Sequence, residues 1–488
     1  MKNLHSIRLN HTQIGWIMCG ILLLCFLLHG EVMSLDIQGR HAWRQTQTMW
    51  NIKNFVEQDV NILNPRVSHY NFGHTNIYRY EFPIMQWSIA MVQRLLGQNI
   101  IIVRMLSFLI AAWGAIGFYR LLRTIDFDPI PALSGFMFYL FAPVVFYYMI
   151  NPMPDNLALA ASMWYLHSIV SYQNKNKKKY LITAAFCLLL ATLAKLPFLM
   201  VSVISIFFFC KAYLYKERNW KEPLRDAATQ LLIIAPALVW YYYVMPGWKG
   251  NGVLTGIFGM EVDWARNIDI LKYHANTMFP QFLLYAPVWI LFFIGTFYSL
   301  RRFKNNGWIW VLIGITFTYL LLQWSVIGMV HDYYLFPFLP WLYLFVVNGV
   351  DRLYSLKRKV WDAFVMLSII AAPIVSYHVS MDKWYSVWYN ADLYDHRDAL
   401  TAAVPDGEKC IMLNDMSKYV FAYQVNKQGY IYNNDLSAPV MKDLIENHGI
   451  AYLYSDSRKF EEQEAVKSML DSLLLDTGSI HVYHLKSE

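Results

Sequence analysis

The stretch His41-Ala42-Trp43-Arg44-Gln45-Thr46-Gln47-Thr48 follows the first apolar segment of the chain, and Tyr80-Glu81-Phe82-Pro83 lies downstream of it. Charged and hydrogen-bonding side chains beside a membrane are costly unless they face a cavity or water. Aromatics flank this stretch, and roughly ten further apolar segments of spanning length follow it. It therefore reads as an outer-face loop, and as the working face, of an integral membrane protein.

Composition points the same way. Of 488 residues, 57% are hydrophobic, 17% aromatic and only 15% charged, and the mean hydropathy is +0.29. A soluble domain carries about 25% charged residues. The net charge of +7 sits in short basic runs between apolar segments, the pattern of cytoplasmic loops. No basic patch of the kind that tracks phosphates is present, which argues against nucleic acid as a partner. Cys19, Cys25, Cys187 and Cys210 fall in apolar segments and Cys410 in a polar one, so a disulfide framework is not expected. No small-residue cleavage site follows Ile14–Leu28, and that segment reads as a retained first span.

Apolar stretches of spanning length occur near 13–29, 100–122, 130–149, 156–172, 180–194, 197–215, 227–245, 281–300, 308–328, 333–350 and 360–378, which makes about eleven spans. Lys2 and Arg8 place the N-terminus in the cytoplasm. Alternation then sends Arg120/Arg123, Lys175 to Lys179, Lys211 to Lys221, Arg301 to Lys304 and Arg352 to Lys359 to that same side, in accord with the positive-inside rule. The apolar run 84–96 is too short to cross about 30 Å of hydrocarbon and reads as an interfacial helix. The first outer loop, 30–99, and everything after about 380 are then extracytoplasmic.

Residues 381–488 change character. Short β-type runs at 410–413, 429–432, 451–454 and 480–483 alternate with helical patterns at 438–448 and 460–474, which predicts a small α/β domain. The expected division is therefore a membrane domain over 1–380, containing the 30–99 loop, and an extracytoplasmic domain over 381–488.

Four places put polar groups at the outer ends of helices. The first is the outer loop, with Asp36, His41, Arg44, Gln45 and Glu81. The second is the turn Asn151-Pro152-Met153-Pro154-Asp155-Asn156. The third is Lys195, alone between two apolar helices, and the fourth is His331-Asp332-Tyr333-Tyr334. Singly, each has a plain structural role. Asp155 suits the positive end of a helix, Lys195 an interfacial anchor, Tyr333 and Tyr334 an aromatic belt, and His41 and Glu81 a solvated loop. Together they make one face suited to an anionic, lipid-linked substrate.

In order and motif the chain resembles the GT-C superfamily of polyprenyl-phosphate-sugar-dependent glycosyltransferases. The resemblance is to the bacterial branch related to protein O-mannosyltransferases and lipid A aminoarabinose transferases. The matching elements are Glu81-Phe82-Pro83 after a long outer loop, a short amphipathic helix ending in Leu96-Gly97, and Arg104-Met105-Leu106-Ser107. They continue with Pro152 to Asp155, the lone Lys195, and Tyr333 to Pro340. The resemblance implies a mainly α-helical polytopic protein in the bacterial inner membrane, with the small C-terminal α/β domain outside. It also implies transfer of a sugar from a polyprenyl-phosphate donor to a glycan, lipid or protein acceptor, by an inverting displacement with a carboxylate base.

Well-understood members carry an acidic residue where this chain reads Trp43-Arg44-Gln45. By resemblance, the candidates for the base are Asp155 and Glu81, then Asp36, with His41 as a non-carboxylate option. Arg44, Gln45, Lys195, His331, Tyr333 and Tyr334 are the substrate-binding candidates. Glu81 with His274 would match a divalent-metal pair. The alternatives are a lipid-linked-sugar flippase or transporter, for which inverted repeats and mid-membrane charges would be expected, and a non-catalytic assembly protein that keeps the fold.

Overall fold

A computed structural model describes residues 9–70, 75–215, 218–248, 263–415, 417–433 and 436–486. In chain order the helices begin with α1 (His11–Leu28), α2 (Ala42–Glu57), α3 (Ile84–Leu96), α4 (Ile100–Thr124) and α5 (Pro129–Leu140). These are followed by α6 (Pro143–Tyr148), α7 (Pro154–Lys175), α8 (Lys178–Ala194), α9 (Val203–Leu214) and α10 (Lys221–Val244). Beyond them lie the apolar helices Val288–Arg302, Gly307–Leu322, Leu339–Ser355 and Lys359–His378. The chain divides into two compact units. The first holds the chain up to Ser34, Tyr80–Met85 and Asn99–Lys383; the second holds Leu35–Arg79, Gln86–Gln98 and the chain from Trp384 onward.

The first unit is the helical one, and the segments read from the sequence fall on its helices. Six of the described helices are long and apolar enough to cross a membrane: His11–Leu28, Ile100–Thr124, Leu196–Leu214, Lys221–Trp248, Asp332–Ser355 and Lys359–Trp384. The pair Trp264–Leu283 and Val288–Arg302, bent by 103°, would make a seventh. Four of the eleven expected runs fall outside that count: α8 and Gly307–Leu322 are only 17 and 16 residues long, and the other two differ in other ways. The apolar run 130–149 is broken into α5 and α6 ahead of Pro143. Helix α7 lies along α4 and α8 and buries Asp155, Asn156, Ser162, Ser168 and Ser171, so protein rather than lipid covers it and its sequence is free to be polar.

Local sequence explains where these helices start. Asn99 caps α4 by accepting the Ile101 N–H, and α5 and α7 carry proline in their first turn, where a missing N–H costs nothing. Close packing explains two glycines. A Cβ on Gly295 would sit 1.8 Å from the Phe345 carbonyl oxygen, and one on Gly349 2.0 Å from that of Leu291. Helices Val288–Arg302 and Leu339–Ser355 therefore cross with their backbones in contact, which only small residues allow. At the C-terminal end of α7, the Tyr172 hydroxyl, Lys178 and Arg218 surround the fully buried Asp226 carboxylate. The 22 residues of α7 are about 33 Å long at 1.5 Å per residue, so this cluster and Asp155 mark opposite ends of one membrane-length helix.

The second unit is built on a five-stranded sheet in the order β2-β1-β3-β5-β4. Strands β1 (Lys409–Leu413), β2 (Gln428–Tyr432) and β3 (Tyr452–Ser455) are parallel; β4 (Leu470–Asp476) and β5 (His481–Leu485) run antiparallel. Strand β4 corrects the helix expected over 460–474. Its leucines pair with β5, and pairing against a formed edge overrides local propensity. Residues of the expected outer loop belong to this unit. Trp50 of α2 is buried with Cys410, Met412, Phe421, Ile431 and Val482. The segment at Ser68–Tyr70 hydrogen-bonds the backbone of Gly429 in β2 from both sides. Helix α3, 13 residues long and so about 20 Å, matches the short amphipathic helix expected.

Candidate functional site

The polar groups of the first unit gather where α7 begins and α8 ends. Pro154 starts α7, and Asp155 follows in its first turn, where helix polarity favours an anion. Its carboxyl is almost wholly buried. Oδ1 lies 3.5 Å from Lys195 Nζ, with side-chain exposures of 2% and 13%, while Oδ2 accepts no hydrogen bond among the described residues. Lys195 is held in extended backbone at the end of α8. Its ammonium lies 5.8 Å from the Tyr333 ring and 5.1 Å from the Tyr334 ring, within cation–π range. His331 donates Nδ1–H to the Val326 carbonyl at 2.6 Å and meets both tyrosines edge-on.

The turn before α7 is fixed by its own side chains. Arg104 donates to the Asn151 side chain at 2.7 Å, and the Asn156 amide donates to the carbonyls of Tyr148 and Asn151. Tyr148 donates its hydroxyl to the fully buried Asp332 at 2.7 Å, tying that turn to the 3-10 helix Asp332–Phe338.

Glu81 comes to the same helix ends. The Phe82 N–H donates to the Leu193 carbonyl at 3.1 Å, two residues before Lys195. Trp240 of α10 donates its indole N–H to the Tyr80 carbonyl, and Tyr241 its hydroxyl to Leu193. The Phe82 ring stands edge-on to Trp240 at 5.0 Å. The Glu81 segment and the end of α8 that carries Lys195 are thus joined at the Leu193 carbonyl, which Tyr241, a residue with no sequence signal beyond its place in an apolar helix, also bonds.

Other candidates are placed elsewhere. His274 hydrogen-bonds the Gly328 carbonyl through Nε2 at 2.8 Å and stacks on Trp324. Among the described residues, no three His, Cys, Asp or Glu side chains gather as a metal would require. Asp36 belongs to the second unit, where Arg397 and Tyr423 bind its carboxylate.

The stretch 41–48 also belongs to the second unit, and it is not a solvated loop. Ala42 opens α2, and all eight residues except half-buried Trp43 are buried. Arg44 donates to Gln47, which donates to the Tyr419 hydroxyl at 3.0 Å; Gln45 donates to the Arg40 carbonyl at 2.9 Å. Arg44 and Gln45, read as substrate-binding candidates, are buried hydrogen-bonding residues of this unit. His41, in a left-handed conformation at φ 55°, lines a cavity with Trp43.

Residues 81–240, from Glu81 to Trp240, match the sequence profile of the dolichyl-phosphate-mannose-protein mannosyltransferase family. No curated protein matches the chain. Among solved structures, ArnT from Cupriavidus metallidurans in the apo state superposes with a TM-score of 0.65 at 12% identity, covering 97% of this chain and 98% of that one. The same protein bound to undecaprenyl phosphate gives 0.62 at 11% identity, covering 98% of each chain. The Archaeoglobus fulgidus oligosaccharyltransferase gives 0.61 at 13% identity, covering 92% of this chain and 70% of that one. The chain therefore has the fold of ArnT over nearly its whole length, and within it residues 81–240 match the mannosyltransferase-family profile.

Proposed function

We propose that the chain is a multi-pass membrane glycosyltransferase that moves a sugar from a polyprenyl-phosphate donor to an acceptor at the outer face. One observation carries this reading: the Asp155–Lys195 pair at the α7–α8 ends, walled by Tyr333 and Tyr334 and approached by the Glu81 segment. Such a pair offers a cation able to receive a phosphate next to a carboxylate able to take a proton. The fold shared with a protein that binds undecaprenyl phosphate supports the lipid-linked donor.

In this reading the acceptor hydroxyl gives its proton to a carboxylate, Asp155 or Glu81, as its oxygen attacks the anomeric carbon. The carbon–oxygen bond to the lipid phosphate breaks on the opposite face, inverting the configuration. Lys195 meets the charge left on the departing phosphate, where a fixed cation in a dry site is most effective. Tyr333 and Tyr334 flank that cation, and His331 packs edge-on against both rings.

The test is transfer or hydrolysis by the purified chain in lipid, offered a panel of undecaprenyl-phosphate sugars. Turnover of one donor, lost in Asp155→Asn or Glu81→Gln while both variants insert and purify as wild type does, supports the reading. Full activity in both variants, or lipid movement without cleavage, overturns it.

A further inference from the structure

The second unit contains a cavity that the transfer chemistry does not use. In its sheet, β1 connects to β2 on one side, and the chain then crosses to β3 on the other. The loops leaving the carboxyl ends of β1 and β3 therefore part, and at such a switch point an open α/β sheet has its ligand crevice. Asn414 and Asp415 follow β1, Asp456 follows β3, and all three line a cavity of about 420 Å³, within the ~300–1,000 Å³ of small-molecule sites. His41, Trp43 and Trp388 also line it.

The cavity is built rather than incidental. Asp415 is fixed by the Ser417 and Phe421 N–H groups and the Ser417 hydroxyl, so its acceptors are used internally. Asp456 keeps one buried oxygen, Oδ1, with no hydrogen-bond partner among the described residues, and burial pushes its carboxyl up to about 6. Two non-glycine residues on the wall, His41 and Asn414, hold left-handed backbone at φ 55° and 72°, the kind of strain that collects at binding sites. His41 is set there by Gly39 (φ 81°), where a Cβ would meet the Trp384 carbonyl oxygen at 2.1 Å.

Aromatic faces beside one carboxylate and side-chain amides suit a neutral polyhydroxylated ring. Its C–H faces lie on indole, and its hydroxyls donate to Asp456 and Asn414. An anion would meet two carboxylates and no cation in the lining. We propose that this cavity binds a neutral saccharide unit; that this unit is part of the acceptor glycan rests on the transferase reading above, whereas its binding does not.

The experiment is saturation-transfer NMR and tryptophan-fluorescence titration on the full-length chain in nanodiscs. The probes are glucose, galactose, N-acetylglucosamine and maltotriose, with glucuronate and lysine methyl ester as anionic and cationic controls. Trp388 is 55% exposed, so Trp388→Ala spares the fold. That variant and Asp456→Asn should each weaken the neutral probe that binds by tenfold or more, with Asp155→Asn binding as wild type does. Absence of neutral-saccharide binding, binding indifferent to both cavity variants, or binding of the charged controls alone would overturn the proposal. Saccharide binding that persists without any transfer would count against the transferase reading and leave the cavity assignment standing.

Discussion

Asp155→Asn separates the roles at the candidate site, because asparagine keeps the size and an acceptor while removing the charge. Asp155 Oδ1 and Lys195 Nζ lie 3.5 Å apart in a poorly exposed place. At an effective dielectric near 20, their attraction is about 5 kcal/mol before desolvation is counted. A donor phosphate has to draw Lys195 away from Asp155, so the resident pair opposes ground-state donor binding. In the variant this competition is gone, and recovering even about 1.4 kcal/mol of it would tighten the donor tenfold. Loss of a general base acts in the other direction, by about 10²–10⁴ in rate. The expected signature is a kcat at least about 100-fold lower with donor KM unchanged or reduced. The assay is initial rate against donor concentration in nanodiscs, using the polyprenyl-phosphate sugar that the wild type turns over. A kcat within a few-fold of wild type would refute the base assignment. A lower kcat with a raised KM would refute the competition argument, since that is the pattern of a lost cation.

Glu81→Gln leaves the backbone hydrogen bonds of its segment to Leu193 and Trp240 in place. It should cut kcat by about 10² with normal insertion; wild-type rates in the same assay would remove Glu81 from the chemistry. Gly349→Val places a side chain where even a Cβ lies 2.0 Å from the Leu291 carbonyl oxygen. Overpacking of that kind costs about 3 kcal/mol or more, read as a fall in apparent Tm in detergent, and an unchanged melt would contradict the backbone contact. His69 of the second unit is buried against Tyr419, and burial lowers its pKa to about 4. The unfolded chain binds a proton near 6.5, so this residue makes stability rise with pH across about 4 to 6.5, by roughly 3 kcal/mol in all. Melting of wild type and His69→Gln between pH 4.5 and 7 should converge at low pH in a way that parallel curves would disprove.

The helical layout was legible because apolarity and basic loops are written locally. Every apolar run read as a span corresponds to helix, and the motifs at Glu81, Asp155, Lys195 and Tyr333–Tyr334 were each visible. Their convergence was not. It depends on Leu193 receiving hydrogen bonds from Phe82 and Tyr241, a carbonyl and an aromatic with no chemical signature in the chain. Helix α7, read as the span 156–172, lies along α4 and α8 and buries polar residues that a lipid-facing helix would not carry. Strand β4 was misread because Leu470–Asp476 has a helical pattern, and only its pairing with β5 decides against it.

The stretch 41–48 shows how polarity misleads when partners are remote. Buried polar groups are tolerated when hydrogen-bonded, so a polar run beside an apolar segment has two solutions: water, or partners supplied by distant chain. Here the second holds. Gln47 is satisfied by Tyr419 and Trp50 is covered by residues of the tail sheet, contacts that span more than 300 positions and leave no local trace. The helix then divides the stretch by face. Arg44, Gln45, Gln47 and Thr48 turn inward, while His41 and Trp43 remain on the cavity wall. A mutation of Arg44 is therefore expected to act through the fold of the second unit, and one of Trp43 through whatever occupies the cavity. Measuring stability and saccharide binding side by side in Arg44→Ala and Trp43→Ala separates the two faces: destabilisation confined to the first and binding loss confined to the second follow from the packing, and the reverse assignment would contradict it.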